Sequence, residues 1–506
     1  MKVGIVGAGA MGRGIAQVSC EGGLDVVLFD VQHGAAAKAQ AFIALMIERS
    51  VAKGTRTADQ AEQVMARVAI AGSIEGLAGC DIIVEAIVEK LDAKQALFAQ
   101  LDALCGPQTI LASNTSSLPI TAIAAYCKHP ERVAGLHFFN PVPLMKLVEV
   151  IPGLKTAPQV IAQLMDISRS MTREPVLCTD SPGFIVNHIG RAYVPEAARI
   201  VSEGIATFDE IDRIMTQTAG MRMGPFQLLD LVGADVSVAV MESLYSQFYQ
   251  EPMYAPQPVL RARVDGGMFG QKSGAGWYAY KDGKRADPVQ NASPTAMPKS
   301  VWVSPSPAHA DLQAPLIALF HKAGVEVETA EKPSADALVV LTPVGNDLTT
   351  TICELKLDAA RTVAVDVLFG LGGPRTLMVT PAISPGIRDA AHGLLAADGS
   401  GVVVINDSPG FIAQRIVAHI VNVGCQIAQR GVASPDDIDK GARLGLAYPM
   451  GPLAWGDELQ PGRVNFILGR LHAFYGEPRY RPSPWLKRRA NLGLSLLTPD
   501  GKAKSR

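Results

Sequence analysis

A six-residue string, Asp180-Ser181-Pro182-Gly183-Phe184-Ile185, returns 227 positions later as Asp407-Ser408-Pro409-Gly410-Phe411-Ile412. The same offset carries Gly204 onto Gly431, Ile211-Asp212 onto Ile438-Asp439, Met223-Gly224-Pro225 onto Met450-Gly451-Pro452 and Asp230 onto Asp457. A gap-free register of this length marks a duplication, whereas either string alone would be weak. Two copies make a duplicated fold unit and not a solenoid, so the 506 residues divide into two related halves.

In the first half, short apolar runs at Val3–Val6, Val26–Phe29, Ile82–Val84, Ile110–Ala112 and Val133–Leu136 alternate with helical segments. That alternation predicts a mostly parallel sheet covered on both faces. Ser181 followed by Pro182 reads as a helix start, with a long helix from Gly183 towards Val201 that Pro195 kinks or cuts short. Prolines at 288, 294, 298, 305, 307 and 315 read as an extended connection between the halves. The resulting division is 1–182, an α/β domain; 183–286, an all-α domain; 287–315, a Pro-rich linker; 316–405, a degenerate α/β domain; and 406–498, a second all-α domain.

Composition narrows the function classes. Hydrophobic residues make up 48 % and charged residues 19 %, enough to fill cores and too little charge for disorder. Lys plus Arg number 46 against 48 Asp plus Glu, a net charge of -2, which provides no global field for nucleic acid or an anionic membrane. The seven cysteines are scattered and never form a CxxC pair, so neither a disulfide framework nor a structural metal site is expected. No apolar run approaches the roughly 20 residues that span a bilayer. The opening Met1-Lys2-Val3 leads straight into a strand and not a signal segment. The expectation is a cytoplasmic protein.

Gly7-Ala8-Gly9-Ala10-Met11-Gly12 follows the first strand and opens a helix, and the next strand ends at Asp30. In this setting Gly7 permits the tight turn, Gly9 lets backbone approach a pyrophosphate, and Gly12 permits close helix–strand packing. Asp30 stands where a carboxylate accepts the adenosine ribose hydroxyls and repels a 2′-phosphate. Strand, loop, helix and carboxylate together make this a Rossmann-type dinucleotide-binding domain that favours NAD over NADP.

His137 lies in Leu136-His137-Phe138-Phe139-Asn140-Pro141, shortly before Glu149. Alone, a histidine among apolar residues is more often a satisfied core residue than a base, and the residues leave both readings open. Four stretches taken together, Gly7–Gly12, Ser113-Asn114-Thr115-Ser116-Ser117, His137–Pro141 and Asp180–Asn187, resemble the L-3-hydroxyacyl-CoA dehydrogenases. The likeness covers about the first 280 residues, continuing through Met223-Gly224-Pro225 to Gly270–Tyr278.

The resemblance implies NAD-dependent oxidation of an (S)-3-hydroxyacyl-CoA to the 3-oxoacyl-CoA, with His137 as general base and Glu149 as its carboxylate partner. It implies that Ser116 and Asn187 position the substrate oxygens. Asn114, Glu89 and Lys94 fall on the cofactor side, and Lys53 falls in the region that grips coenzyme A. The long form, with a second copy, is similar to family members acting on 3-hydroxyadipyl-CoA or 3-hydroxybutyryl-CoA in bacterial catabolism such as phenylacetate breakdown. A hydroxyadipyl chain ends in a carboxylate that wants a cation, for which Arg222 is the candidate.

With the glycine loop beginning at Gly7, only the dehydrogenase step is expected, without a hydratase ahead of it. Two alternatives stand beside this reading: a β-hydroxyacid-type dehydrogenase acting on a free acid, and a non-catalytic NAD-binding relative. In the second half Gln414 falls on Asn187, and neither a glycine loop nor a His137–Pro141 motif occurs, so no second dinucleotide site is expected. The helical copies would pair with each other, giving a monomer with an intrachain pseudo-dimer or a homodimer.

Overall fold

The computed structural model describes residues 1–289, 292–306 and 309–501, so Pro307 of the expected linker lies outside it. The chain forms two compact units. The first comprises Met1–His188 together with Ile427–Leu446; the second comprises Ile189–Gln426 and the described chain from Ala447 onward.

The first unit is built on an eight-stranded sheet: β1 (Lys2–Val6), β2 (Asp25–Phe29), β3 (Val68–Ile70), β4 (Ile82–Glu85), β5 (Ile110–Ser113), β6 (Val133–Phe138), β7 (Leu147–Pro152) and β8 (Glu174–Leu177), in the order β3-β2-β1-β4-β5-β6-β7-β8. All five strands expected from apolar runs are present. Neighbours run parallel except β6 and β7, whose eight-residue connection is too short for a parallel crossover. That one reversal sets His137 directly opposite Glu149.

Beyond β8 the structure departs from the expected long helix. Pro182–Ile185 form a turn, with Gly183 at φ +74° and Phe184 at φ +49°. Helix begins only at Val186, ends at Gly190 and restarts at Val194. Pro195 therefore opens a new helix in its first turn, where a missing N–H costs nothing, and does not kink an existing one. The second copy repeats the turn, with Gly410 at φ +73° and Phe411 at φ +49°. It then runs unbroken as the Ala413–Gln429 helix, since Asn422 stands at the place of Pro195.

The repeated aspartates also do one job twice. Asp180 accepts from the amides of Ile120 and Thr121, and Asp407 accepts from those of Leu348 and Thr349, each pinning the helix that follows a central strand.

In the second unit a hairpin, β9 (Ala279–Lys281) and β10 (Lys284–Ala286), precedes a six-stranded sheet. That sheet comprises β11 (Ser300–Val303), β12 (Glu326–Glu328), β13 (Leu338–Leu341), β14 (Thr362–Val365), β15 (Arg375–Val379) and β16 (Val402–Asn406), in the order β12-β11-β13-β14-β15-β16. The expectation of a linker over 287–315 and of a domain starting at 316 is corrected here. Val301, Trp302 and Val303 form a buried strand, and a helix runs over Ala310–Lys322 with Pro315 inside it. Proline-rich composition masked a four-residue strand whose side chains are needed in the core.

The helical copies meet inside the second unit. Glu196, Arg415 and Arg479 are all fully buried, with Arg415 Nε 2.6 Å and Arg479 Nη1 3.1 Å from opposite oxygens of the Glu196 carboxylate. Each α/β domain also receives a helix from the other copy. Thr179 N donates to Val432 O at 2.8 Å in the first unit, and Asn406 N donates to Ile205 O at 2.9 Å in the second. Under the 227-residue offset these are the same hydrogen bond, made reciprocally.

Candidate active site

The glycine loop fits a dinucleotide. Gly7 has φ +98°, and a Cβ there would sit 2.5 Å from Ala86 O; one on Gly12 would sit 1.8 Å from Gly7 O. A Cβ on Gly9 would meet nothing within 4 Å, so the open side of the loop lies at the glycine expected to face the pyrophosphate. The helix Ala10–Glu21 starts there without a side-chain cap or an acidic residue in its first turn, leaving its first amides for an anion. Asp30 closes the loop, accepting from Ala8 N at 2.7 Å and Gln32 N at 2.8 Å.

The catalytic candidates converge at the ends of β5, β6 and β7. His137 Nδ1 lies 2.7 Å from Glu149 Oε2, and the other carboxylate oxygen accepts from the amides of Ile185 and Val186, each at 2.9 Å. Glu149 is fully buried, and these three donors compensate a charge that would otherwise be costly to bury. A carboxylate can only accept, so the imidazole carries its proton on Nδ1 and presents the Nε2 lone pair. Phe139 and Phe184 pack against the ring at centroid distances of 4.4 and 5.9 Å, which restricts its rotation.

The turn Pro182–Ile185 is thus what the carboxylate requires: the left-handed residues aim two successive amides at it. Sequence reading missed this cradle, although Pro-Gly inside the repeated string is a turn signal.

Asn114 and Ser116 occupy the loop after β5. Asn114 Oδ1 accepts from Phe138 N at 2.8 Å, tying the loop to the residue after the base. The amide of Asn187 donates to Ser116 O at 3.3 Å. Glu89 gathers this loop from below, accepting from Thr115 Oγ1 at 2.6 Å, Ser116 N at 3.0 Å and Ser117 N at 3.2 Å. Burial pushes the Glu89 carboxyl up, but the Thr115 hydroxyl, the Lys94 ammonium and the Ser116 amide outweigh it and hold it below the usual range.

Lys94 itself is 1 % exposed, caught between Glu85 and Glu89. It is placed behind the site and not on its surface. Glu85 and Ser113, which complete this network, carried no recognisable sequence signal.

Lys53, at the end of the Ala35–Ala52 helix, lines a cavity of about 480 Å³. Arg13 and Arg49 line it as well, with Phe42 and Met46 from the same helix as Arg49 and with Asn140–Leu144 from the segment just after His137. Arg13 also stacks on Phe42 at 3.9 Å. Three cations over an apolar wall suit a ligand with phosphates at one end and an uncharged chain at the other. The two arginines were missed, though Arg49 stands four residues before Lys53, on the same helix face. Arg222 is exposed in the other unit, on the turn ahead of the Pro225–Val232 helix. Among the described residues no group of His, Cys, Asp and Glu is arranged to hold a metal ion.

The second copy has lost this chemistry. Asp366 N bonds Thr376 O across β14 and β15, the pairing that His137 and Glu149 make across β6 and β7. Gln414 fills the gap, donating to Asp366 Oδ1 at 2.8 Å and accepting from Gly345 N at 2.9 Å.

Comparison with known proteins shows what the chain is similar to. Residues 2–181 match the family model "3-hydroxyacyl-CoA dehydrogenase, NAD binding domain", and residues 183–280 and 410–502 each match the corresponding C-terminal domain. The chain is 39 % identical over 492 residues to a 3-hydroxyadipyl-CoA dehydrogenase of Escherichia coli, covering 97 % of both chains. It is 40 % identical over 280 residues to a 3-hydroxybutyryl-CoA dehydrogenase of Clostridioides difficile, covering 55 % of this chain and 99 % of that one. A crystal structure of 3-hydroxybutyryl-CoA dehydrogenase from E. coli superposes with a TM-score of 0.85 at 36 % identity, over 97 % of this chain and 98 % of that one.

Proposed function

The chain belongs to the 3-hydroxyacyl-CoA dehydrogenase family, and on that premise we propose that His137 takes the 3-hydroxyl proton of an (S)-3-hydroxyacyl-CoA as NAD is reduced and the 3-oxoacyl-CoA forms. The observation that carries this assignment is the relay from the Ile185 and Val186 amides through Glu149 to His137 Nδ1, which leaves Nε2 to receive the proton. Glu149 stabilises the imidazolium that results, as a carboxylate does behind a triad histidine. The 39 % identity over 97 % of both chains to a 3-hydroxyadipyl-CoA dehydrogenase favours this reading over the two alternatives raised by the sequence.

Bound NAD supplies one thing, acceptance of the hydride lost from C3. The chain does the rest. Gly7, Gly9 and Gly12 shape the pyrophosphate seat, and Asp30 accepts from the adenosine ribose and disfavours a 2′-phosphate. Glu89 and Asn114 face the nicotinamide-ribose side, with Lys94 holding Glu89 in place and making no contact of its own. Ser116 and Asn187 hold the 3-oxygen and the thioester carbonyl by hydrogen bonds. Lys53, Arg49 and Arg13 take the coenzyme A phosphates.

The proposed acyl groups are a four-carbon chain and a six-carbon dicarboxylic chain, since full-length relatives carry both names. Arg222 is the proposed partner of a distal carboxylate. The pairing of Glu196 with Arg415 and Arg479 supports an intrachain pseudo-dimer in which the second helical copy occupies the surface a separate subunit would otherwise cover. Seven free cysteines support the cytoplasm as its compartment; among the described residues no helix is long and apolar enough to cross a membrane.

The test is NADH formation from (S)-3-hydroxybutyryl-CoA, 3-hydroxyadipyl-CoA and the corresponding free acids. Turnover of the thioesters with NAD is expected; oxidation of a free 3-hydroxy acid in their place would overturn the reading.

A further inference from the structure

The relay that orients His137 does not end at the Ile185–Val186 turn. The turn is backed by the helix Pro435–Gly445, which comes from the second copy yet belongs to the first unit. An antiparallel bridge between Cys178 and Ala433 and the Thr179 N to Val432 O hydrogen bond fix the start of this segment beside the end of β8. The contact with the turn is made by two glycines one helical turn apart. A Cβ on Gly441 would lie 2.7 Å from Ile185 Cγ2; one on Gly445 would lie 2.7 Å from Val186 Cγ2 and 2.9 Å from Leu147 Cδ2. Ile185 and Val186 are the residues whose amides hold Glu149, and Leu147 begins the strand that carries it.

The glycines are not a general property of the repeat. In the first copy the same two positions are Ile214, on the helix Phe208–Gln217, and Thr218, which caps its C-terminus. Thr218 there bonds Pro374 O at 3.0 Å, beside the sheet that has lost the base. The other copy also packs closely, but there the glycine stands on the strand side, where a Cβ on Gly373 would lie 2.9 Å from Thr218 Oγ1; of the two helices, Pro435–Gly445 is the one that carries the glycines itself.

We propose that the second copy is a positioning element for catalysis: Gly441 and Gly445 let its helix press on the Ile185–Val186 turn, and the turn fixes Glu149 and through it the His137 ring. The proposal rests on the dehydrogenase reading above for its kinetic consequence. It assigns the degenerate half a part in the reaction without any contact with substrate or cofactor. A Cβ at Gly445 must push the stiff Val186 side chain by several tenths of an ångström, and the amide cradle moves with it. Misplacement of a catalytic group on that scale lowers the chemical step while leaving ground-state binding in place.

The test is steady-state kinetics on Gly445→Ala in the full chain, alongside Gly445→Ala/Val186→Ala, in which the struck methyl groups are gone and the amide remains. The expected result is a roughly tenfold loss of kcat in the single variant, with KM for NAD and thioester within about twofold of wild type, and recovery to within about threefold in the double variant. Unchanged kcat in Gly445→Ala overturns the proposal. So does a loss of kcat accompanied by equal losses of NADH affinity and thermal midpoint without recovery in the double variant. Should Gly445→Ala not fold, Gly441→Ala carries the same kinetic expectation, and Val186→Ala alone, which opens a gap under the helix, is expected to lower kcat a few-fold. Hydrogen exchange at the Ile185 and Val186 amides separates this proposal from the dehydrogenase reading. If wild type turns over no hydroxyacyl-CoA, that reading fails, while faster exchange in Gly445→Ala still supports the buttress and unchanged exchange overturns it.

Discussion

The side-chain amide of Gln414 lies 2.8 Å from the buried carboxyl of Asp366, closing the place where the first copy keeps its base. Burial pushes the Asp366 carboxyl up to about 6, against the smaller opposing effect of its hydrogen bonds from Gln414 and Leu368 N. Its folded value exceeds the unfolded one, so its contribution to stability is complete below about pH 4 and is lost as pH rises through about 6. Asp366→Asn is therefore expected to stabilise the protein by about 1–3 kcal/mol at pH 8 and by nothing measurable at pH 4. Thermal midpoints of the two proteins across that range check this, and a gain that is the same at every pH would contradict it.

Glu149 offers one oxygen to the imidazole and one to two amides. Glu149→Gln keeps the volume and removes the charge that stabilises the imidazolium, and its NH₂ group must face either a donor ring nitrogen or two donor amides. A fall of about 10²–10⁴ in kcat is expected, with NADH affinity unchanged in a fluorescence titration. A fall of less than fivefold would mean that the carboxylate is structural.

Arg49 and Lys53 stand exposed on the wall of the 480 Å³ cavity, where their charge is free for phosphates. Replacing either with Ala should raise KM for acyl-CoA by about three- to tenfold, the scale of one exposed charge pair, with kcat unchanged. Short N-acetylcysteamine thioesters lack the nucleotide and should show no difference between variant and wild type. Equal effects on both substrate types would remove the cavity from the account.

Glu196 is enclosed by Arg415, Arg479 and the Tyr480 hydroxyl. Burial opposes its ionisation, but the two guanidinium groups outweigh that and hold its carboxyl far below the usual range. A depressed value means that its stabilisation is present at neutral pH and is lost only in strong acid. Glu196→Ala strands two buried cations and should cost about 3–5 kcal/mol, read as a drop in the urea midpoint. Retention of the wild-type midpoint would show that the helical copies are held together by packing alone.

Much of this architecture was legible in the chain. The glycine loop and Asp30 are local signals, because the turn, the helix start and the strand end they require lie within thirty residues. The duplication was legible because Asp180 and Asp407 perform the same capping. What escaped depends on distant partners. Ile185 and Val186 are apolar residues whose function resides in backbone amides, so composition cannot reveal them. The strand Ser300–Val303 was hidden by flanking prolines. The helix Pro435–Gly445 lies within the stretch 406–498 expected as the second all-α domain, but it belongs to the first unit, and nothing in its own residues states that it packs on the first sheet. The expected helix from Gly183 failed because the repeated Pro-Gly-Phe string makes a left-handed turn in both copies, at Gly183–Phe184 and at Gly410–Phe411, and this turn overrides the Ser-Pro start signal.

The most direct measurement is the rate of NADH formation by His137→Ala, set against wild type at saturating NAD and hydroxyacyl-CoA. A loss of about 10³ or more in kcat is expected, with NADH and thioester still bound, since the imidazole supplies the proton acceptor for the chemical step. Turnover within tenfold of wild type would contradict it and place the base elsewhere.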